Sequence, residues 1–390
     1  TERMVQPMDK PTVQDIFHRF YPAYLDQYSP SPVQAKVAHN IMNCKTGAYG
    51  ANVCVCEDCG FVQIHYNSCR NRCCPMCQAV PKEMWMDARR EDVLDAPYFH
   101  LVFTVPDILN PVIYSNQRLL YDALYHAASS TISELTADPK HLGAKVGYIC
   151  ILHTWGSEMN FHPHIHTILL GGGLASNNQW KDNGENFFLP IRVISKMFRG
   201  KYLEELKRLW EEDKLVFHGT AEKFRNHYTF KELLDSCYGM DWIPHCKKTF
   251  NGAQTVIKYL GKYTHRIAVS NHRIVRMDDD TVTFLVKDYR NEGQWKELTI
   301  SGVEFVRRFL MHVPPRRFVR IRHYGLLCSR TKSQKLTLCR NLLGCKKYLS
   351  KLRDMEMPEI LEHLYGIKVC VCKACGGHLG KPQMRMPLRC

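Results

Sequence analysis

Residues 161–170 read FHPHIHTILL, with a single proline or isoleucine between successive histidines. Alternate side chains of a β-strand share a face, so His162, His164 and His166 point one way while Ile165 and Thr167 point the other. Imidazoles converging on one face of an apolar strand suit a divalent metal that polarises a phosphodiester. Working outward, residues 145–155 (KVGYICILHTW) precede a short GSEMNF connection, which predicts an antiparallel hairpin carrying the histidines.

Two alternatives compete with a metal site on this strand. One is a half-buried strand with satisfied imidazoles. The second is a histidine-triad nucleotide hydrolase, whose alternating run this one resembles and which needs no metal.

The surrounding texture is α+β. YFHLVFTV (98–105) predicts another strand, QRLLYDALYHAASSTISEL (117–135) and SKMFRGKYLEELKRLWEED (195–213) predict helices, and residues 255–267 (TVIKYLGKYTHRI) a further helix. HRIVRM, TVTFLVKDY and QWKELTI, between 272 and 300, predict a three-stranded meander. No internal repeat is expected. The order suggests a helical lead-in (1–43), a cysteine module (44–96), an α+β domain (97–300) and a basic region (301–390).

Eight cysteines fall between Cys44 and Cys77. Cysteines in a reducing compartment hold metal rather than disulfides, and Cys-x-x-Cys delivers two thiolates on one knuckle. CEDC and CPMC predict one zinc site of Cys56, Cys59, Cys74 and Cys77. The remaining Cys44, Cys54, Cys69 and Cys73 predict a second. Near the end, Cys372 and Cys375 make a third knuckle and leave a third site open, its partners being Cys370 and His378, or Cys390, or one of Cys328, Cys339 and Cys345.

Tyr259 and Tyr263 stand four apart in a helical stretch, hence on one face, among Lys258, Lys262, His265 and Arg266. A phenol is a poor nucleophile until cations or a metal stabilise its phenolate. Paired tyrosines with a histidine strand fit DNA nicking. The chain is strongly basic, +15 over 390 residues, and residues 301–350 hold twelve Lys or Arg against Glu304, a local 12 − 1 = +11. Arg316, Arg317, Arg320 and Arg322, interleaved with Phe305, Phe309, Phe318, Tyr324 and Tyr348, predict a phosphate-tracking, base-stacking surface. The first residues lack an apolar signal core and no apolar run reaches membrane-spanning length, so a soluble, cytoplasmic, nucleoid-associated bacterial protein is expected, with no membrane partner.

Together HPHIHTILLGGGL, YLGKYTHR, the ribbon CEDCGFVQIHYNSCRNRCCPMCQ and RIRHYGLL resemble the rolling-circle insertion-sequence transposases of the HUH endonuclease class, over about Cys44 to Cys375. The resemblance implies an HUH-type antiparallel sheet with flanking helices. It implies that His164 and His166 bind Mg²⁺ or Mn²⁺ with a third ligand, His153 first and Glu158 second, and that His162 is secondary. Tyr259 and Tyr263 would form 5′-phosphotyrosine links while acting on single-stranded DNA of element ends and target DNA, without a nucleotide cofactor. A plasmid relaxase or replication initiator, and a zinc-dependent DNA-binding regulator without chemistry, are the rivals.

Overall fold

The structure is a computed structural model describing residues 10–183, 189–242, 245–250, 256, 261, 267–288 and 293–385. Helix α1 (Val13–Gln27) starts at a capping box of Thr12 and Asp15, and α2 (Pro32–Met42) at Ser31 with proline in the first turn. Such caps satisfy amides that lack intrahelical partners. Strands β1 (Ala51–Val55) and β2 (Val62–Tyr66) flank the first knuckle as a ribbon, and α3 (Ala79–Arg90) follows the second.

The next stretch builds the central sheet and its helices. It comprises β3 (Tyr98–Thr104), α4 (Asn110–Ser115), α5 (Gln117–Ala137), β4 (Lys145–Trp155), β5 (Phe161–Leu174), β6 (Trp180–Asp182), α6 (Ile191–Glu211), α7 (His227–Gly239) and β7 (His245–Phe250). The expected meander is β8 (Ile274–Met277), β9 (Thr281–Asp288) and β10 (Gln294–Ser301), followed by α8 (Gly302–Met311), β11 (Ile321–Gly325), α9 (Lys332–Leu343), α10 (Met357–Tyr365) and β12 (Gln383–Arg385). The fold is α+β with an antiparallel sheet and flanking helices.

The central sheet runs β11-β4-β5-β3-β7, with β6 also on β5. β4 and β5 form the expected hairpin, and His153 lies opposite His164. One sheet face, with Phe103, Leu152, Ile165 and Leu169, packs on α5 and α6. The other divides along its length: Ile149, Ile151, Ile168 and Leu170 form an apolar half against α3 and α9, and the histidines occupy the half nearer the hairpin turn.

The sequence-ordered boundaries at 43, 96 and 300 do not separate packed units. Phe17 of α1 meets Phe309 of α8 edge-on, and α1, α2, the meander and α8 share one core. β11, from the basic region, pairs with β4 in the central sheet, and β12 pairs with β1 of the ribbon. Strand edges leave unpaired amides and carbonyls that distant segments satisfy, which a linear division cannot show.

The stacking surface expected in the basic region is corrected too. Phe305, Phe309 and Phe318 are buried, Tyr324 stacks on Tyr148, and Tyr348 donates a hydrogen bond to Asp87. An amphipathic helix such as α8 turns its phenylalanines inward and its charges outward, so residues interleaved in sequence separate in space.

Candidate metal centres and the histidine face

The eight thiols at the ribbon and its surroundings do not pair as the knuckle order suggests. Cys44, Cys69, Cys74 and Cys77 form one cluster, and Cys56, Cys59, Cys372 and Cys375 another. The expected sets Cys56/Cys59/Cys74/Cys77 and Cys44/Cys54/Cys69/Cys73 are therefore corrected. Cys54 and Cys73 belong to neither cluster, and the C-terminal knuckle finds its partner in the first one. β1 and β2 carry the CEDC knuckle away from CPMC and toward β12, which is the physical reason for the exchange.

Both clusters fit zinc. Four sulfurs about 2.3 Å from one ion lie roughly 3.8 Å apart in a tetrahedron. The sulfurs of Cys44 and Cys77 are 3.5 Å apart, those of Cys69 and Cys77 3.6 Å, Cys56 and Cys375 3.5 Å, and Cys59 and Cys372 3.7 Å. Those separations are far beyond a disulfide bond. Backbone amides of Cys69, Asn71, Ala374 and Gly377 donate to the sulfurs, which favours thiolates. Hydrogen bonds with Cys69 and then Cys74 hold the Cys77 thiol well below its usual value, while Cys74 is pushed well above by its bonds with Cys69 and Cys77. Thiols this close share protons, and a cation can replace them.

A sequence signal for the second cluster was present and missed. Residues 53–60 read VCVCEDCG and residues 369–376 read VCVCKACG, identical at six of eight positions and offset by 372 − 56 = 316 residues. The expectation of no internal repeat is corrected accordingly. Each copy folds alike: Gly60 N–H donates to Cys56 O and Gly376 N–H to Cys372 O, both glycines with positive φ. That backbone conformation closes the knuckle and favours glycine.

On the sheet, donor nitrogens of His153, His164 and His166 lie within 4.8 Å of one another, and all three residues are buried. His164 Nδ1–H donates to the His162 carbonyl at 2.7 Å, leaving Nε2 as an acceptor. The Nε2 atoms of His164 and His166 are 3.1 Å apart. Two ligands at adjacent corners of an octahedron of radius ~2.1 Å lie roughly 3.0 Å apart, so the pair fits a hard divalent ion. Glu158 is not in the group; its carbonyl accepts from Arg308. His162 stands at the rim, 3.2 Å from Asp107 Oδ1.

His100, on β3, was not anticipated. It is buried, its ring stacks on that of His166 at 5.1 Å, and its Nε2 lies 2.9 Å from His166 Nδ1. With His166 Nδ1–H donating to His100, His166 Nε2 is free of hydrogen and turned toward His164. The only sequence signal was one histidine in an otherwise apolar strand, YFHLVFT.

Tyr259, Tyr263, Lys258, Lys262, His265 and Arg266 lie outside the described residues. Two neighbours are described: Val256 packs in the apolar cluster on the histidine side of the sheet, and Gly261 lies against Met86 of α3. Of the basic candidates, Arg316 and Arg317 are exposed. Arg320 is half-buried beside Cys73 and Arg72, and burial lowers its pKa. Arg322 pairs with Asp122 and lies 4.0 Å over the Tyr125 ring, so it braces the sheet edge against α5. Among the described residues no helix is long and apolar enough to cross a membrane.

Residues 147–335 match a family described as "Putative transposase", and residues 16–105 match a "Transposase zinc-binding domain" of the IS91 type. The chain is 40% identical over 369 residues to "Putative transposase y4qJ" of Sinorhizobium fredii, covering 94% of this chain and 93% of that one. It is 30% identical to the transposase for insertion sequence element IS801 of Pseudomonas savastanoi pv. phaseolicola, covering 78% and 72%. A solved conjugative relaxase, TrwC, in complex with oriT DNA is similar at 15% identity and a TM-score of 0.23, covering 44% of this chain and 67% of that one.

Proposed function

The chain belongs to the IS91/IS801 family of rolling-circle insertion-sequence transposases, and on that premise we propose that it nicks and rejoins single-stranded DNA at element ends through Tyr259 and Tyr263. His153, His164 and His166 would hold the active-site Mg²⁺ or Mn²⁺. When bound, that ion supplies Lewis-acid polarisation of the scissile phosphate.

The chain's own groups account for the rest. One tyrosine gives up its phenolic proton and its oxygen bonds to phosphorus. The P–O3′ bond breaks, and the departing oxygen takes up a proton to become a free 3′-hydroxyl. The DNA is left as a 5′-phosphotyrosine, and attack by an incoming 3′-hydroxyl reverses the exchange without ATP. Lys258, Lys262 and Arg266, neighbours in sequence, supply charge that lowers the cost of the phenolate. The second tyrosine lets donor and target strands be held in turn. His100 and the His162 carbonyl fix the rings of His166 and His164.

The observation that carries this proposal is the facing Nε2 pair backed by His153, in a chain of this family. The test is incubation with 5′- and 3′-labelled single strands from element ends in Mn²⁺, followed by denaturing gels, for wild type, Tyr259→Phe, Tyr263→Phe and the double variant. A protein-linked band carrying the 3′ fragment, absent with EDTA and in the double variant, is expected. Cognate DNA that is bound but never becomes covalently attached would make the protein a zinc-dependent DNA binder instead.

A further inference from the structure

At the end of the central sheet remote from the histidines lies a groove that the nicking chemistry leaves unused. Its floor is the paired ends of β4 and β5, with Lys145 opposite Leu174, and its walls are the turns around residues 139–144 and 175–178 and the start of α9. The groove holds about 840 Å³, and Lys145, Lys181, Lys335, Asn177, Asn178 and Gln334 turn toward it with no carboxylate among the lining residues.

The three lysines converge. Lys181 Nζ lies 3.4 Å from where a Cβ on Gly143 would stand, over the turn that leads into Lys145. Lys335 is half-buried, and burial and the adjoining Lys145 ammonium together push it below its usual value. Some surface lysines sit beside carboxylates, as in Lys207–Glu211, Lys214–Glu212 and Lys231–Asp235. Among the described residues the groove lysines have no such partner. Like charges held together cost free energy that a bound anion removes.

We propose that this groove binds the phosphodiester backbone of DNA beyond the cleavage site. Eight residues of β4 separate Lys145 from His153, roughly 26 Å at about 3.3 Å per residue. A duplex reaching from the histidines to the groove would span about three-quarters of a helical turn. Asn177, Asn178 and Gln334 offer amide donors to phosphate oxygens between the lysines, which positions a strand without reading its bases. The inference rests on the proposed DNA substrate.

The full chain, with zinc, is titrated onto a fluorescein-labelled duplex of about 30 base pairs and a single strand of about 30 nucleotides across salt concentrations by anisotropy. The variant Lys145→Gln/Lys181→Gln/Lys335→Gln is compared with Lys207→Gln/Lys214→Gln/Lys231→Gln, which removes the same net charge from another face. The groove variant is expected to reduce the slope of log K against log salt by about 2 to 3, from roughly 0.7 to 0.9 per phosphate contact, and the control by less than about 0.5. A Lys→Arg groove triple should restore the slope. Equal slopes for the two glutamine triples would overturn the inference. The covalent adduct is measured on the same proteins: an adduct with an unaltered groove slope defeats the groove alone, a groove effect without any adduct defeats the nicking proposal alone, and wild type that does not bind DNA defeats both.

Discussion

Cys375→Ser tests the exchange of zinc partners most directly. Apart from the zinc ligands, the clasp it opens is held by the short β1–β12 ladder, by the His378 amide donating to Asp58, and by a small buried core of Cys54, Cys56, Cys372 and Leu379. Leu379 is the one aliphatic side chain there, and burying it contributes about 2 kcal/mol. The main-chain bonds from Glu57 N–H to His378 O (3.1 Å) and from Gly380 N–H to Val55 O (2.9 Å) add about 1 kcal/mol each. A four-thiolate zinc site contributes on the order of 10 kcal/mol or more. Removing one ligand should therefore drop bound zinc from two per chain to one and free the segment from Gly366 to Arg385. Hydrogen exchange at the Cys372, Gly376 and Gly380 amides should accelerate at least about a thousandfold, some 4 kcal/mol, while β4 and β5 keep their protection. Cys54→Ser and Cys73→Ser should both retain two zincs. Two zincs in Cys375→Ser, or unchanged protection at Gly380, would refute the assignment.

Three further outcomes are expected. His100→Phe should weaken Mn²⁺ binding about 10- to 100-fold by calorimetry, with His100→Gln restoring part of it; unchanged affinity would remove His100 from any positioning role. His312 is buried, donates from Nε2 to Met159 O and accepts at Nδ1 from Thr154, and burial pulls its pKa down to about 4. The unfolded chain holds the extra proton between ~6.5 and that value, so stability is full above ~6.5 and falls by roughly 3 kcal/mol as pH drops to about 4. His312→Gln should flatten that part of a denaturant-midpoint profile, and an unaltered profile would count against the buried neutral imidazole. Gly302→Ala would bring a Cβ to 2.2 Å from the Phe20 ring, so a loss of about 1–3 kcal/mol in thermal or urea unfolding is expected. No loss would contradict the docking of α1 on the start of α8.

The sequence determined what depends on neighbours along the chain. Strand alternation put His164 and His166 on one face, a short turn made β4 and β5 a hairpin, and Cys-x-x-Cys spacing marked each knuckle, whereas the irregularity between His153 and Trp155 that sets His153 opposite His164 is seen only in the folded sheet. The caps at Thr12 and Ser31 are local in the same sense, each joining residues three apart. The tertiary structure decided what depends on choosing between chemically equivalent groups. Any thiolate satisfies zinc as well as another, so spacing could not say that Cys56 and Cys59 reach across the chain to Cys372 and Cys375. Charge was legible, but its availability was not: Arg322 and Lys145 look alike in sequence, yet one is clamped by Asp122 and Tyr125 while the other lines an open groove. His100 could be assigned only once β3 lay beside β5, because a diagonal contact between strands has no fixed separation in sequence.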